Sequence, residues 1–239
     1  MAKLGATYGS ERQFLEYRRQ SPDTLDTAVL QALGLDPEKA LLEWQYPRTD
    51  GRRGSEPESL DFLGQDPSSA ASRALDAWKA AWPRSGTPPQ WDGVARLGAR
   101  GQEPRWLLFE AKANHPEFTG APCRASERSR DTIVRTLGKA KSRWQVHRDF
   151  DWTGTYYQHA NRLAIIAFLE KHSIPATLVE IFFFGEHFPD GRACPAKADE
   201  WQPLIAARGL TLGLPATGMD SAVTPVFLPA LTLAPPSTE

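Results

Sequence analysis

Residues 90–113 read QWDGVARLGARGQEPRWLLFEAKA, and this stretch decides the fold because it contains two candidate strands that can pair with each other. Residues 90–97 alternate weakly between apolar and polar side chains, whereas residues 105–113 form a stronger apolar run. Residues 98–104 between them have the composition of a hairpin loop. We therefore predict two neighbouring antiparallel strands.

Helices are predicted on both sides of this hairpin. Ser10 followed by Gln13 has the spacing of a capping box, which predicts a helix that begins at Ser10. Pro22 stands at the first position of a second helix, which ends at Gly34. Apolar periodicity of helical spacing predicts further helices over residues 69–82, 127–147, 156–172 and 200–208.

Two later segments have the composition of strands. Residues 176–185, ATLVEIFFFG, are almost continuously apolar, which is typical of a strand buried on both faces. Residues 224–231 predict a late edge strand. Two adjacent strands followed by helices and a buried strand indicate an α/β protein with a mixed central sheet flanked by helices, plus helices at the N-terminus.

The bulk composition excludes several classes of protein. The 239 residues are enough for one substantial core, and the formal net charge of -1 means that a nucleic-acid partner has to meet a local basic patch. Cys123 and Cys194 have no metal-ligand spacing, which argues against a disulfide scaffold and a zinc module. No apolar run is long enough to span a bilayer, and no secretory signal begins the chain. We expect no membrane partner and a cytoplasmic location.

Three polar side chains in the hairpin have the chemistry of a hydrolytic site. Glu110 and Lys112 are two residues apart, so in a strand they project from the same face. Pairing of the two strands brings Asp92 beside Glu110. Two neighbouring carboxylates repel each other unless a cation lies between them, and Mg²⁺ prefers such oxygen ligands. A lysine beside that ion can orient water or stabilise charge on a phosphate, so these residues suit phosphodiester hydrolysis.

This pattern resembles the PD-(D/E)XK nuclease superfamily, also called restriction-endonuclease-like. The resemblance rests on Asp92 followed by the tripeptide 110–112 on the next strand, and on the order of the predicted elements. YQHANRLAIIAFL at 157–169 and IPATLVEIFFFG at 174–185 are similar to an uncharacterised bacterial branch of that superfamily. The resemblance implies an αβββαβ core over about residues 59–186. The whole chain, 1–239, is then one domain with a helical N-terminal extension at 1–58 and a C-terminal appendage at 187–239.

The resemblance also implies roles for individual residues. Asp92, Glu110 and the backbone carbonyl of Ala111 would bind Mg²⁺ or Mn²⁺, and Lys112 would help to activate water. Gln158 matches the position of a glutamine that some exonuclease branches direct at the site. The superfamily often adds another acid, and nothing in the sequence selects among the candidates Glu43, Glu58, Asp61 and Asp76.

The function implied is that of a metal-dependent nuclease that hydrolyses phosphodiester bonds in DNA. The alternative is a catalytically inactive module of the same fold that binds nucleic acid or a protein partner. A third interpretation also stays open: a plain interaction protein with an α/β core and no nucleic-acid role, in which Glu110 and Lys112 are a surface pair at the end of a strand. The oligomeric state is open too, with a homodimer among the alternatives.

Candidate contacts for nucleic acid lie on two predicted helices. Asn161 and Arg162 share a helical face with Gln158. Residues 124–148 contain eight Lys and Arg against two acids, with an apolar face that includes Val134. Such a stripe fits contact with phosphates and equally fits a solvated helix face. Its basic members are Arg128, Arg135, Lys139 and Arg143.

Overall fold

The computed structural model describes residues 9–47, 56–83, 86–99, 103–187, 191–215 and 222–232. Its centre is a five-stranded mixed sheet in the order β1-β2-β3-β4-β5. The strands β1 to β3 pair antiparallel, whereas β3, β4 and β5 run parallel to one another. The strands are β1 (Ala40–Tyr46), β2 (Gly93–Ala99), β3 (Arg105–Lys112), β4 (Ala176–Phe184) and β5 (Val223–Pro229).

Seven α-helices lie within the described residues, which confirms the prediction of an α/β protein with a mixed sheet. None of these helices is long and apolar enough to cross a membrane. The helices are α1 (Ser10–Gln20), α2 (Pro22–Ala32), α3 (Ser69–Ala81), α4 (His115–Thr119), α5 (Glu127–Arg143), α6 (Tyr157–Lys171) and α7 (Trp201–Leu212).

The two faces of the sheet are covered by different helices. Because side chains alternate along a strand, Leu107 and Phe109 of β3 pack with α1 and α2 on one face. Leu108 packs with α3, α5 and α6 on the other face. Glu110 and Lys112 have the same parity as Leu108, so both acid and amine of the predicted motif point towards α6.

The sheet extends beyond the predicted core of residues 59–186. β1 lies within the predicted N-terminal extension yet pairs along its length with β2, and β5 lies within the predicted C-terminal appendage yet pairs with β4. No strand bounds were predicted for β1, whose Leu41 is exposed while Leu42 is buried. An edge strand that buries few side chains carries a weak apolar pattern. The terminal segments are therefore parts of the sheet.

The predicted capping box at the start of α1 is wrong. The N-cap residue is Gly9, and it makes no side-chain capping bond. Gln13 is instead 1% exposed. Its amide donates to the Leu231 carbonyl at 3.2 Å and accepts from the Leu231 N–H at 2.8 Å. Gln13 therefore bonds to Leu231, 218 residues away, instead of capping its own helix. These hydrogen bonds connect α1 to the segment after β5.

Two local predictions around α5 also differ from the structure. The helix ends at Arg143 rather than near residue 147, and Gln145 follows with a positive φ of 56°. Val134, which was expected on the apolar face, is 48% exposed. Its neighbours Ile133 and Leu137 take the buried positions, so the buried face of α5 is narrower than the helical wheel indicates.

Candidate active site

Asp92 lies beside the end of β3, close to Glu110 and Ala111. Gly93 pairs with Phe109, and the Asp92 N–H donates to the Phe109 carbonyl at 3.2 Å. The ladder between β2 and β3 ends at this pair, and just beyond it the charge of Asp92 acts on that of Glu110. Oδ2 of Asp92 accepts the Ala111 N–H at 2.7 Å. The structure thus brings together the two acids that the hairpin prediction paired.

Lys112 is held between an acid and an amide. Its Nζ donates to Oε1 of Glu110 at 2.5 Å and to Oε1 of Gln158 at 2.8 Å. Glu110 is 4% exposed and Lys112 is 8% exposed. Gln158 comes from the first turn of α6, so one helix end and one strand end meet at this point. The charges are largely removed from bulk water, which strengthens their interactions.

Arg162, one turn further along α6, binds the other oxygen of Glu110. Its Nε and Nη2 lie 2.8 and 2.7 Å from Oε2 of Glu110. Nη2 also donates to the Gln90 carbonyl at 2.5 Å, and the guanidinium lies 4.7 Å above the Trp91 ring. At 3% exposed, Arg162 is a buried partner of the acid.

This placement corrects the prediction that Asn161 and Arg162 are contacts for nucleic acid. Both side chains are buried, because α6 lies between the sheet and the other helices and has no broad solvent-facing side. The helical spacing with Gln158 was predicted, but spacing alone does not tell an inward face from an outward one.

The pKa values of the two acids move in opposite directions. Burial, followed by the neighbouring charge of Glu110, raises the pKa of Asp92 to about 8, against the opposing effect of Lys112. Burial also raises the pKa of Glu110, but the charges of Arg162 and Lys112 outweigh it, and the pKa lies below its usual value. Glu110 therefore forms ion pairs with two cations, whereas Asp92 forms no ion pair within the part of the chain that the structure describes.

Two further acids act on this centre, and neither was among the predicted candidates. Burial is the main cause that raises the pKa of Glu56, followed by the charges of Glu11 and Glu110. Burial raises the pKa of Tyr46 to about 12, with Glu56, Glu11 and Asp92 adding to the shift. Glu56 and Glu11 lie in a loop and on α1, far from the motif in sequence, and no local pattern marks them.

The four acids proposed from sequence are all exposed. They lie on an edge strand, in the segment before α3 and on α3, and Asp76 pairs with Lys79 on its own helix. We therefore replace them by Glu56 as the nearest additional acid, because the Glu56 charge contributes to the raised pKa of Asp92. The exposed side chains are those of Glu43, Glu58, Asp61 and Asp76.

A second buried ionic group adjoins the first. Arg208 of α7 donates to both oxygens of Glu180 at 2.7 and 2.6 Å, and Nδ1 of His159 lies 3.0 Å from Oε1 of Glu180. The charges of Arg208 and His159 lower the pKa of Glu180 despite its burial. Sequence reasoning missed this group, although a single carboxylate in the run ATLVEIFFFG was the available signal.

The donor atoms beside Asp92 suit a divalent cation. Within the residues that the structure describes, no three His, Cys, Asp or Glu side chains are grouped to hold a metal ion. A backbone group can complete the set. The N–H of Ala111 points at Asp92, and the carbonyl of one strand residue points to the same side as its N–H. β2 begins at Gly93, so the Ala111 carbonyl lies beyond the paired part of that strand.

The charge balance of the centre also fits such an ion. Among the residues that the structure describes, neighbouring acids add to the effect of burial in raising the pKa values of Asp92 and Glu56, against the opposing charges of Lys112 and Arg162. A bound cation would relieve this local excess of negative charge.

The basic stripe of α5 is only partly free. Arg128, Arg135 and Lys139 are exposed, whereas Arg143 pairs with Glu170 and stacks on Trp144. Glu170 stands near the end of α6, twelve residues after Gln158, which is about 18 Å along a helix. The C-terminal end of the stripe therefore lies away from the candidate site.

Comparison of the chain with protein-family models, with curated proteins and with solved structures gives no match.

Proposed function

We propose that this chain is a metal-dependent nuclease that hydrolyses phosphodiester bonds in DNA. The observation that carries the proposal is the convergence of two acids and an amine on one face of the sheet. Asp92 accepts the N–H of Ala111 and interacts electrostatically with Glu110, and Lys112 contacts Glu110. This is the set of groups that the resemblance to the PD-(D/E)XK superfamily requires at adjacent strand ends.

The topology of the sheet supports assigning a restriction-endonuclease-like core. Three antiparallel strands, β1 to β3, are followed by helices, and β4 then returns parallel to β3. The order departs from the αβββαβ arrangement that the resemblance implies in one respect, because α3 stands between β1 and β2. A fold by itself does not establish an activity, so the proposal depends on the site and not on the topology.

Each residue has a role that its contacts allow. Asp92, Glu110 and the Ala111 carbonyl would hold Mg²⁺ or Mn²⁺, which when bound acidifies water and polarises a phosphate. Lys112 has three N–H groups, two of which go to Glu110 and Gln158. The third is left to donate to the attacking water or to a phosphate oxygen. Gln158 fixes the direction of that N–H.

Cleavage of plasmid and of labelled single- and double-stranded DNA tests the proposal. We expect cleavage with Mg²⁺ or Mn²⁺ that EDTA abolishes. Glu110→Gln and Lys112→Met should each reduce the rate by about 100-fold or more, since they act on the reacting groups. Lys79→Met is the control, because Lys79 is exposed and pairs only with Asp76 on α3. Undiminished cleavage by the two site variants would rule the assignment out.

One observation favours the inactive module as a second candidate. Both oxygens of Glu110 already accept hydrogen bonds from protein cations, Lys112 and Arg162. The hydrogen bonds between Glu110, Lys112 and Arg162 therefore do not need a bound metal ion. This candidate predicts salt-dependent DNA binding without turnover, weakened by Arg135→Ala on the exposed stripe and unaffected by EDTA.

A further inference from the structure

The guanidinium of Arg162 lies directly against one oxygen of Glu110. Its Nε donates to Oε2 at 2.8 Å, and its Nη2 lies 2.7 Å from the same oxygen as an ion pair. A ligand that approaches Oε2 therefore meets a positive charge already in contact with that oxygen. Oε1 accepts only one bond within the described residues, from Lys112, and keeps one lone pair.

Arg162 cannot move away without losing several other contacts. Its guanidinium is stacked on the Trp91 ring and donates to the Gln90 carbonyl, and the side chain is almost entirely buried. An arginine in such a setting stays charged. It is therefore a permanent cation at a fixed position beside Glu110.

We propose that Arg162 takes the place of a second metal ion, so that the site binds one divalent cation per chain. This inference rests on the proposed function. In two-metal phosphodiesterase sites the ions lie about 3.5–4 Å apart on shared acidic ligands. A second ion at Oε2 of Glu110 would have to share that oxygen with Arg162, and the guanidinium charge repels a dication there.

The remaining donors are enough for one ion. Oδ1 of Asp92 has no protein partner among the described residues, since the hydrogen bond from the Ala111 N–H goes to Oδ2. Oε1 of Glu110 keeps one lone pair, and the Ala111 carbonyl belongs to the residue whose N–H binds Asp92. Three protein oxygens with water completing the shell is a common arrangement for Mg²⁺.

Arg162 is also a positioning residue, because it links both sides of the hairpin. It binds Glu110 directly, and its bond to the Gln90 carbonyl fixes the backbone two residues before Asp92. The same side chain thereby sets the separation of the two acids across the sheet.

Counting Mn²⁺ ions bound to the pure protein tests this inference without using activity. Calorimetric titration and electron paramagnetic resonance should give one ion per wild-type chain and no signal of a coupled Mn²⁺ pair. Arg162→Met should bind two ions per chain, with the coupled signal. Arg96→Met is the matched control: Arg96 also meets a carboxylate, Asp66, and also lies 4.7 Å from a tryptophan ring, that of Trp106. It should bind one ion.

The number of Mn²⁺ ions bound per chain distinguishes failure of this inference from failure of the proposed function. Two ions in the wild type, or one ion in a folded Arg162→Met variant, would overturn the inference and leave a nuclease standing. No bound ion in the wild type would overturn both. If Arg162→Met does not fold, the wild-type count and the absence of a coupled pair decide the matter alone.

Discussion

Glu110 and Glu180 are direct neighbours on the parallel strands β3 and β4, and each is bound by an arginine from a helix. Arg162 of α6 holds Glu110, and Arg208 of α7 holds Glu180. Two carboxylates side by side in a buried sheet would repel each other strongly. The two arginines offset that repulsion. The two sites still differ, because Arg208 binds both oxygens of Glu180, whereas a second acid, Asp92, lies beside Glu110.

Removing the negative charge of Glu180 should lower the stability of the protein. Glu180→Gln leaves the buried guanidinium of Arg208 without its carboxylate, and we expect the free energy of unfolding to fall by about 3–5 kcal/mol. Glu170→Gln provides the control, because Glu170 is exposed and its pair with Arg143 is worth about 0–1 kcal/mol. Urea denaturation followed by circular dichroism measures both. Equal effects from the two variants would contradict the structural role of Glu180.

Asp92 should make the stability of the metal-free protein depend on pH. Its folded pKa is raised from 3.8 to about 8, so between these values the folded chain keeps a proton that the unfolded chain releases. The free energy of unfolding therefore falls as pH rises through this window, and the contribution is fully present only below it. Asp92→Asn should lack this component.

Melting temperatures in EDTA, measured from pH 4 to 9, check this dependence. The difference between Asp92→Asn and wild type should increase with pH in favour of the variant. Saturating Mg²⁺ should cancel the decline in the wild type, because the ion binds the ionised carboxylate of the folded state. Parallel curves for the two proteins would contradict the assignment of the raised pKa to Asp92.

Gln158 should affect cleavage without affecting metal affinity. Gln158→Leu removes the acceptor that fixes Lys112, and we expect cleavage to slow by about 10–100-fold, as for other groups that orient site residues. Mn²⁺ affinity should stay the same, because Gln158 contacts the lysine and neither acid. Gln20→Leu, at a side chain bonded only to Glu16 on the surface of α1, is the control. Loss of Mn²⁺ binding in Gln158→Leu would refute this division of roles.

Gly120 should resist substitution for a backbone reason. It has φ 67° and ψ -178°, a conformation almost confined to glycine. A Cβ there would meet Gln158 at ordinary contact distances of 3.7–3.8 Å, so the expected cost of Gly120→Ala, about 1–3 kcal/mol, is strain and not a clash. Gly138→Ala, inside α5 with open space around it, should instead stabilise by about 0.5–1 kcal/mol. Thermal unfolding of both variants distinguishes the two effects.

Local pattern predicted much of the fold and the centre of the site. The long apolar strands and the amphipathic helices could be placed because their periodicity reflects burial on one face or two. The same two-residue period placed Glu110 and Lys112 together, and the hairpin placed Asp92 near them. β1 was not bounded, because an edge strand buries too few side chains to leave a clear pattern.

Long-range partners could not be predicted in this way. Gln13 has the spacing of a local cap but bonds to Leu231, and Arg162 has the spacing of a basic surface residue but is buried on Glu110. A buried polar group forms a hydrogen bond with a group that the folded chain brings within about 3 Å of it. That group can come from any part of the sequence. No window of sequence contains that information.

The sequence by itself determined the α/β class and the strand that presents an acid and a lysine on one face. Only the tertiary structure decided that Arg162 and not solvent meets Glu110, that the charge of Glu56 acts on Asp92, and that Asp92 forms no ion pair within the described residues. The physical reason is that periodicity is a property of neighbouring residues, whereas charge balance in a buried site depends on side chains from distant elements.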